Sequence, residues 1–318
     1  MTKLTIILGT FNRLSLLKRC VASMIGKITV SYRIIVLDAG SSDGTLSYLQ
    51  RLVPKVTVIG QKKRIGQANS FNKILKTLKT DYVCWLSDDN EVVSKVVDQA
   101  VSILDDNPTI GMVGLKVHDV TGVYRQEPYI GGVWESGVLN VNQGMIRTAL
   151  LHKTGYFDSS FPDYGMDADL TTRVLLAGSK VVYTKDVAIL HYRDRFVHPG
   201  AYTIHDRQNR MRIAYILYRR KYAWLKKFSY SVSYRLKQEI KPFMMRILYI
   251  IFVRIGSYFY QNGRMPHIYR DLWVTLSARY VSLFDMWYNR NRSYHLVQKL
   301  PGQIVSTYEK QKKSAQNR

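Results

Sequence analysis

The chain is poor in three things. Only two of its 318 residues are cysteine, Cys20 and Cys84, and both lie in apolar segments. Two such thiols make no disulfide framework, so the sequence predicts a protein of a reducing compartment, held together by its core. Acidic residues are the second scarcity: 23 Asp and Glu face 47 Lys and Arg, for a formal net charge of +24. The third is the long hydrophobic run. The most apolar window, FMMRILYIIFVRIGSYFY (243–260), contains Arg246 and Arg254, and its longest uninterrupted apolar stretch is seven residues. A membrane-spanning helix needs about 20 predominantly apolar residues, so no span is expected. The opening MTKLTIILGTFNR turns polar too soon for a signal peptide and reads as the first strand of a fold.

A hydrophobic content of 46% supports a core and argues against disorder. The length suits one large α/β domain with an appendage, or two small domains. Charge is unevenly placed. Residues 1–200 hold 24 basic and 18 acidic side chains, whereas residues 201–318 hold 23 and 5, together with 14 of the 23 tyrosines. Such an asymmetry points to a polyanionic partner, membrane lipid or nucleic acid.

Over the first 120 residues strand-like and helix-like segments alternate. LTIIL (4–8), RIIVLD (33–38), KVTVIG (55–60), DYVCWL (81–86) and TIGMVGLKV (109–117) read as strands. Between them LSLLKRCVASMI (14–25), GTLSYLQRLV (44–53), GQANSFNKILKTLK (66–79) and EVVSKVVDQAVSILDD (91–106) read as helices. The alternation predicts an α/β fold with right-handed crossovers and a mostly parallel sheet flanked by helices. Residues 121–165 are irregular and rich in glycine and aromatics. DADLTTRVLLAG (167–178) is again helical, and KVVYT and VAILHY read as two strands. Beyond about residue 207 the pattern becomes basic, tyrosine-studded helix, and EKQKKSAQNR (309–318) reads as a disordered tail.

Ligands of open α/β sheets bind beyond the carboxyl ends of the strands. Three strands here end in polar turns: Gly9-Thr10-Phe11-Asn12, Asp38-Ala39-Gly40, and Ser87-Asp88-Asp89-Asn90. One acid of the last group is explained if Ser87, Asp88 or Asn90 caps a helix beginning near Glu91. Capping does not explain two acids, nor Asp38 on another strand. Adjacent carboxylates at a strand end suit Mg²⁺ or Mn²⁺, which take one or two protein carboxylates and complete their shell with water and substrate phosphate. Asp38 can accept from a base N–H or a ribose hydroxyl, and Phe11 can stack on a flat base. Arg64 reaches the same pocket or belongs to a solvated basic loop. Asp167 and Asp169 lie at a helix start, where the dipole favours anions. Two residues apart, they face different ways, so one can brace the structure while the other acts as a general base. His191 ends a strand, as a structural residue or a third metal ligand.

Seven segments in order resemble family 2 glycosyltransferases of the GT-A fold: LTIILGTFNRLSLLKRCVASM, IIVLDAGSSDGTLSYL, RIGQANSFNKIL, YVCWLSDDN, GMIRTALLHKTGYFDSSF, MDADLTTRVLLAGSKVVY and AILHY. The resemblance implies a Rossmann-like nucleotide-binding half over 1–120 and an acceptor and catalytic half over 121–205. It implies that Thr10, Phe11, Asn12 and Asp38 bind the nucleoside of a sugar nucleotide, with Arg64 and Gly66 nearby. SDDN is similar to the family's DxD element, in which Asp88 would contact ribose and Asp89 would ligate Mn²⁺ or Mg²⁺ on the diphosphate. His191 would complete the metal site, and Asp167 would be the catalytic base of a single inverting displacement. Met166 stands where the family places an acid, and Ser87 where many members have another Asp, which leaves the metal and the donor nucleotide (UDP, GDP or dTDP) open.

Residues 206–308 read as a basic helical appendage. Met211, Tyr215, Tyr218, Tyr222 and Leu225 recur at helical spacing among Arg and Lys, as do Leu236, Ile240, Phe243 and Ile247. Aromatic and aliphatic side chains beside cations suit a helix lying in the headgroup plane of an anionic membrane. The alternative is that the stripes pack on the protein and leave a solvated basic face. No nucleic-acid recognition motif accompanies the charge, so no nucleic acid is expected as partner. The combined expectation is a glycosyltransferase at the cytoplasmic face of a membrane, acting on a saccharide acceptor that is lipid-linked, of polyprenyl type, in glycan or polysaccharide synthesis. Two rivals remain. A nucleotidyltransferase would place a glycine-rich basic loop after strand one, where GTFNRLSLL has a single glycine. A non-catalytic membrane-binding module would have no use for the acids at 38, 88, 89 and 167.

Overall fold

The computed structural model describes residues 2–93, 95–121, 128, 131, 138, 140–193 and 203–222. It divides into two compact units; among the described residues the first contains the strands and six helices, and the second one helix. In the first unit the strands are β1 (Leu4–Thr10), β2 (Tyr32–Asp38), β3 (Val56–Gly60), β4 (Tyr82–Ser87), β5 (Asn90–Val92), β6 (Ile110–Asp119), β7 (Gly144–Arg147) and β8 (Lys180–His191). The helices are α1 (Leu14–Met24), α2 (Thr45–Gln50), α3 (Gln67–Leu75), α4 (Val96–Asp106), α5 (Thr148–Thr154) and α6 (Met166–Leu176).

These strands form one sheet in the order β3-β2-β1-β4-β7-β6-β8-β5. The first four are parallel, as expected. The rest is mixed: β7 runs antiparallel to both β4 and β6, β6 and β8 are parallel, and β5 is antiparallel to β8. Leu4, Ile6, Ile7 and Leu8 of β1 are fully buried. A strand covered on both faces reads as a continuous apolar run, which is why LTIIL shows no alternation. At about 1.5–3 kcal/mol for each large apolar side chain, this burial makes β1 the fixed axis of the sheet. Helix α1 buries Leu17, Cys20, Val21 and Met24, and α4 buries Val97, Ala100, Val101 and Leu104; both sets follow one helical face.

Strand order reverses at β1: β2 and β3 lie to one side of it, β4 to the other. The crevice beyond the carboxyl ends opens at such a switch point. Register puts Thr10 beside Asp38 and Gly9 beside Ser87, so the three polar strand ends meet there.

Two expectations are corrected. The helix read from Glu91 begins at Val96; Asn90–Val92 is instead strand β5, whose Asn90 pairs with His191. Val and Ile suit a strand as readily as a helix, and pairing with β8 decides the matter. The two strands read at KVVYT and VAILHY are one strand, β8, with irregular register against β6.

The second unit contributes helix α7 (Ile204–Lys221), opened by a capping box in which Thr203 and Asp206 satisfy each other's backbone N–H. Tyr215, Tyr218 and Tyr222 are buried, so the tyrosine stripe is at least partly packed, while Arg220 and Lys221 are exposed. Among the described residues no helix is long and apolar enough to cross a membrane. The membrane-binding reading of the remaining appendage, and the disordered tail, lie outside the described residues.

Candidate active site

Local sequence ties the first two strand ends together. Asn12 has a positive φ of 52°, a conformation asparagine tolerates, and its Oδ1 accepts from Ser42 N at 2.8 Å. Asn12 N donates to Ser41 Oγ at 2.9 Å, and Leu14 N, at the start of α1, donates to Asp43 Oδ2 at 2.9 Å. Gly40 has a φ of 87°, and a Cβ there would sit 3.1 Å from Gln61 O, so the second loop lies close on the end of β3. Asp38 is buried; Oδ2 accepts from Ser41 N at 3.2 Å, whereas Oδ1 has no hydrogen-bond partner among the described residues. The Arg64 guanidinium lies 4.8 Å from the centre of the Phe11 ring, so these two expected donor-site residues do meet. Gly66 has a φ of 87° and precedes α3, whose Gln67 N–H donates to Asp163 Oδ1 at 2.6 Å.

The acidic pair at the end of β4 does not cap a helix. Asn90 Oδ1 accepts from Ser87 N and closes the turn, leaving both carboxylates to other partners. Arg13 Nη1 lies 3.0 Å from Asp88 Oδ1 and 3.6 Å from Asp89 Oδ2. Strand β5 carries Asp89 to the end of β8, where His191 Nε2 approaches Asp89 Oδ2 at 3.3 Å. On its other side His191 Nδ1 meets Asp119 Oδ1 at 2.8 Å, and Arg193 Nε donates to Asp119 Oδ2 at 2.9 Å. Charges thus alternate across the site.

This alternation sets the protonation states. Burial alone would lift the Asp89 carboxyl, but His191 and Arg13 hold it below its ordinary value. Burial alone would lower the His191 imidazole, but Asp89 and Asp119 raise it to about 9. Asp88 is pushed up, first by burial, with Arg13 opposing and Asp89 assisting. Asp89 is therefore the more readily ionised member of the pair.

The residues fit a divalent cation. Asp89 Oδ1 is buried without a hydrogen-bond partner. His191 stands next to it with its outer nitrogen anchored on a carboxylate, the arrangement that orients an imidazole toward a metal. Among the described residues no group of three or more His, Cys, Asp or Glu could hold an ion by itself. Phosphate oxygens of a substrate would have to complete the shell, as is usual for Mg²⁺ and Mn²⁺.

Helix α6 presents Asp167 and Asp169 on different sides. Asp169 is fully buried and pairs with Arg173 at 2.8 Å; Arg173 also donates to the carbonyls of Thr154, Gly155 and Tyr156. It braces α6 against α5. Asp167 is partly exposed and accepts from Asn140 Nδ2. Its carboxyl is raised by burial, with the Asn140 hydrogen bond opposing. Gly165 rather than either acid occupies the helix N-cap. Met166 is buried in the core, where an acid would need a partner.

The sequence model of glycosyl transferase family 2 matches residues 5–161, the stretch that builds β1 to β7 and the acidic strand ends. Over these residues the chain is similar to glycosyl transferase family 2. A glycosyltransferase of Haemophilus influenzae described as uncharacterized is 24% identical over 143 residues, 43% of this chain. The match spans 44% of that relative's length. Among solved structures the mannosyltransferase PcManGT of Pyrobaculum calidifontis, in complex with GDP-Man and Mn²⁺, superposes with a TM-score of 0.55 at 16% identity, over 91% of this chain and 88% of that one. S. aureus TarS 1–349 in complex with UDP-GlcNAc superposes with a TM-score of 0.53 at 18% identity, over 92% of this chain and 93% of that one. These superpositions show the GT-A fold.

Five residues that contact the expected site residues or their immediate partners were not singled out from sequence. Arg13, Asp119, Asn140, Asp163 and Arg193 act through partners far along the chain, as in the 72-residue separation of Asp119 and His191. Only Arg13, in the GTFNR segment after strand one, had a place in the sequence that pointed to the crevice.

Proposed function

We propose that the protein is a metal-dependent inverting glycosyltransferase, moving a sugar from a nucleoside-diphosphate sugar to a hydroxyl of a saccharide acceptor. The reading is carried by one observation: Asp38 and Asp89, at the ends of the two strands that flank β1, each keep a buried carboxylate oxygen with no hydrogen-bond partner among the described residues. A buried acceptor left unpaired is costly, and a bound donor relieves it. Thr10, Asn12 and Asp38 form the nucleoside pocket, with Phe11 and Arg64 as a stacking wall and Gly66 at its margin. Asp88 meets the ribose. Asp89 and His191, the latter giving up its Nε2 proton, would hold Mn²⁺ or Mg²⁺, which would supply charge neutralisation for the departing diphosphate. Asp167 takes the proton of the acceptor hydroxyl as its oxygen attacks the anomeric carbon from the face opposite the leaving group.

The complexes of the structural neighbours support a nucleotide-sugar donor and a divalent ion as the first ligands to test. A lipid-linked acceptor in glycan or polysaccharide synthesis, met at the cytoplasmic face of a membrane, is supported by the basic, tyrosine-rich composition after residue 201.

The deciding experiment measures thermal stability and slow donor hydrolysis with UDP-GlcNAc, GDP-mannose and other UDP-, GDP- and dTDP-sugars, each with Mn²⁺, with Mg²⁺ and with EDTA. One donor should stabilise the wild type in the presence of metal, by about 2.7 kcal/mol at a concentration one hundred times its Kd. Asp89→Ala should abolish that response. Equal stabilisation of both proteins, or no response to any donor and ion, overturns the reading.

A further inference from the structure

We propose that Asn140 is the positioning residue of Asp167, holding one carboxylate oxygen so that the other is offered to the acceptor hydroxyl. The inference rests on the reading of Asp167 as the base. Asn140 is buried, and its Nδ2 donates to both Asp167 Oδ2 and Asn142 Oδ1. Both amide hydrogens are therefore committed. Turning the amide over would set Oδ1 against the carboxylate, so the orientation is locked by charge.

The segment carrying Asn140 is itself a strap between the two halves of the site. At one end Val141 N donates to Thr171 Oγ1 at 3.1 Å, and Thr171 Oγ1 donates to Asp167 O at 2.8 Å. The first turn of α6 is thus held by backbone as well as by side chain. At the other end Trp85 Nε1 donates to Asn142 O at 3.0 Å, and Gln143 Nε2 donates to Ser87 Oγ at 3.0 Å. Ser87 directly precedes the acidic pair, so the strap ties the base to the strand end that carries Asp88 and Asp89. It is closely packed: Gly144 approaches Val141, and Gly131 approaches Asn140, so tightly that a Cβ at either position would collide.

Asn140 Oδ1 is buried with no hydrogen-bond partner among the described residues. A side chain chosen for stability alone would not leave an acceptor unpaired. The donating end accounts for it. The Asn140 hydrogen bond favours the ionised form of Asp167, Asp167 Oδ2 is the anchored oxygen, and Asp167 Oδ1 is the one that takes the hydroxyl proton.

The test follows the Asp167 side-chain carboxyl by ¹³C NMR across pH in wild type, Asn140→Ala and Asn140→Asp. Release of UDP from UDP-GlcNAc, or of GDP from GDP-mannose, is measured with Mn²⁺ over the same range. Asn140→Ala should raise the Asp167 midpoint by about one pH unit and move the acid limb of hydrolysis with it. Asn140→Asp, nearly isosteric, should raise it further by adding a like charge, and it carries the test if the alanine variant does not fold. A folded Asn140 variant with an unmoved Asp167 midpoint overturns the proposal. Asp167→Asn separates the two readings. If that variant still turns over, the base assignment fails. If it is inactive while the Asn140 variants leave the midpoint unmoved, only the positioning role fails.

Discussion

Replacing Asp169 by alanine probes the brace beneath the base. Asp169 is fully buried, and Arg173, 17% exposed, is its partner at 2.8 Å. At that distance an effective dielectric of about 20 gives an attraction of about 6 kcal/mol, from which the desolvation of a buried carboxylate removes several. Arg173 keeps three carbonyl acceptors, Thr154 O, Gly155 O and Tyr156 O, so its charge is not wholly stranded when the acid goes. The expected loss is therefore at the low end of the range for breaking a buried pair, about 3 kcal/mol. For a unit of this size that corresponds to a fall in Tm of about 6–12 °C. Urea unfolding of Asp169→Ala, Arg173→Met and the double variant gives the coupling directly. Arg173→Met should cost at least as much as Asp169→Ala, because three carbonyls lose their donor. The double variant should be more stable than the sum of the single losses predicts, by about 2 kcal/mol. A loss below about 1 kcal/mol for Asp169→Ala would refute this account and make the pair incidental.

Three further outcomes follow from the same geometry. Burial raises the Asp167 carboxyl, and a general base works only when ionised, so donor hydrolysis should fall as pH drops through a midpoint above the ordinary carboxylate range; a rate that stays level down to about pH 4 refutes it. Gly144→Ala would drive a Cβ into Val141 and to 2.9 Å from Val113 O, a backbone atom that cannot yield cheaply, so thermal denaturation should show a loss of about 1–3 kcal/mol. An unchanged Tm would mean the strap can shift. Phe11→Ala removes the ring against which Arg64 lies, and if the base stacks there as proposed, calorimetry with UDP or GDP should show a loss of about 1–3 kcal/mol, the worth of one base on one ring. Binding unaffected by that change would place the base elsewhere.

Much of the site was legible because strand ends are local features. Thr10, Asp38 and Asp88 each follow a short apolar run, and parallel neighbours place such ends on one edge whatever the loops do. The parallel half of the sheet could be read from alternation alone, since its crossovers join elements in sequence order. Residues 90–92 misled because Glu91, Val92 and Val93 fit the helix that follows as well as a strand, and only β8 supplies the pairing that decides between them. That one element changes the chemistry, because it carries Asp89 to His191.

The sequence by itself determined the α/β class, the acids at the switch point and the likeness of residues 5–161 to glycosyl transferase family 2, since each depends on short-range pattern or on motifs in order. The tertiary structure alone decided which charges meet. Asp119 braces His191, Arg13 spans both carboxylates, Asp169 is neutralised by Arg173, and Asn140 reaches Asp167. Apart from the helical Asp169–Arg173 pair, these partners are brought together by strand pairing and strap packing between distant segments. In a buried crevice it is the partner, more than the residue type, that sets the charge a carboxylate carries.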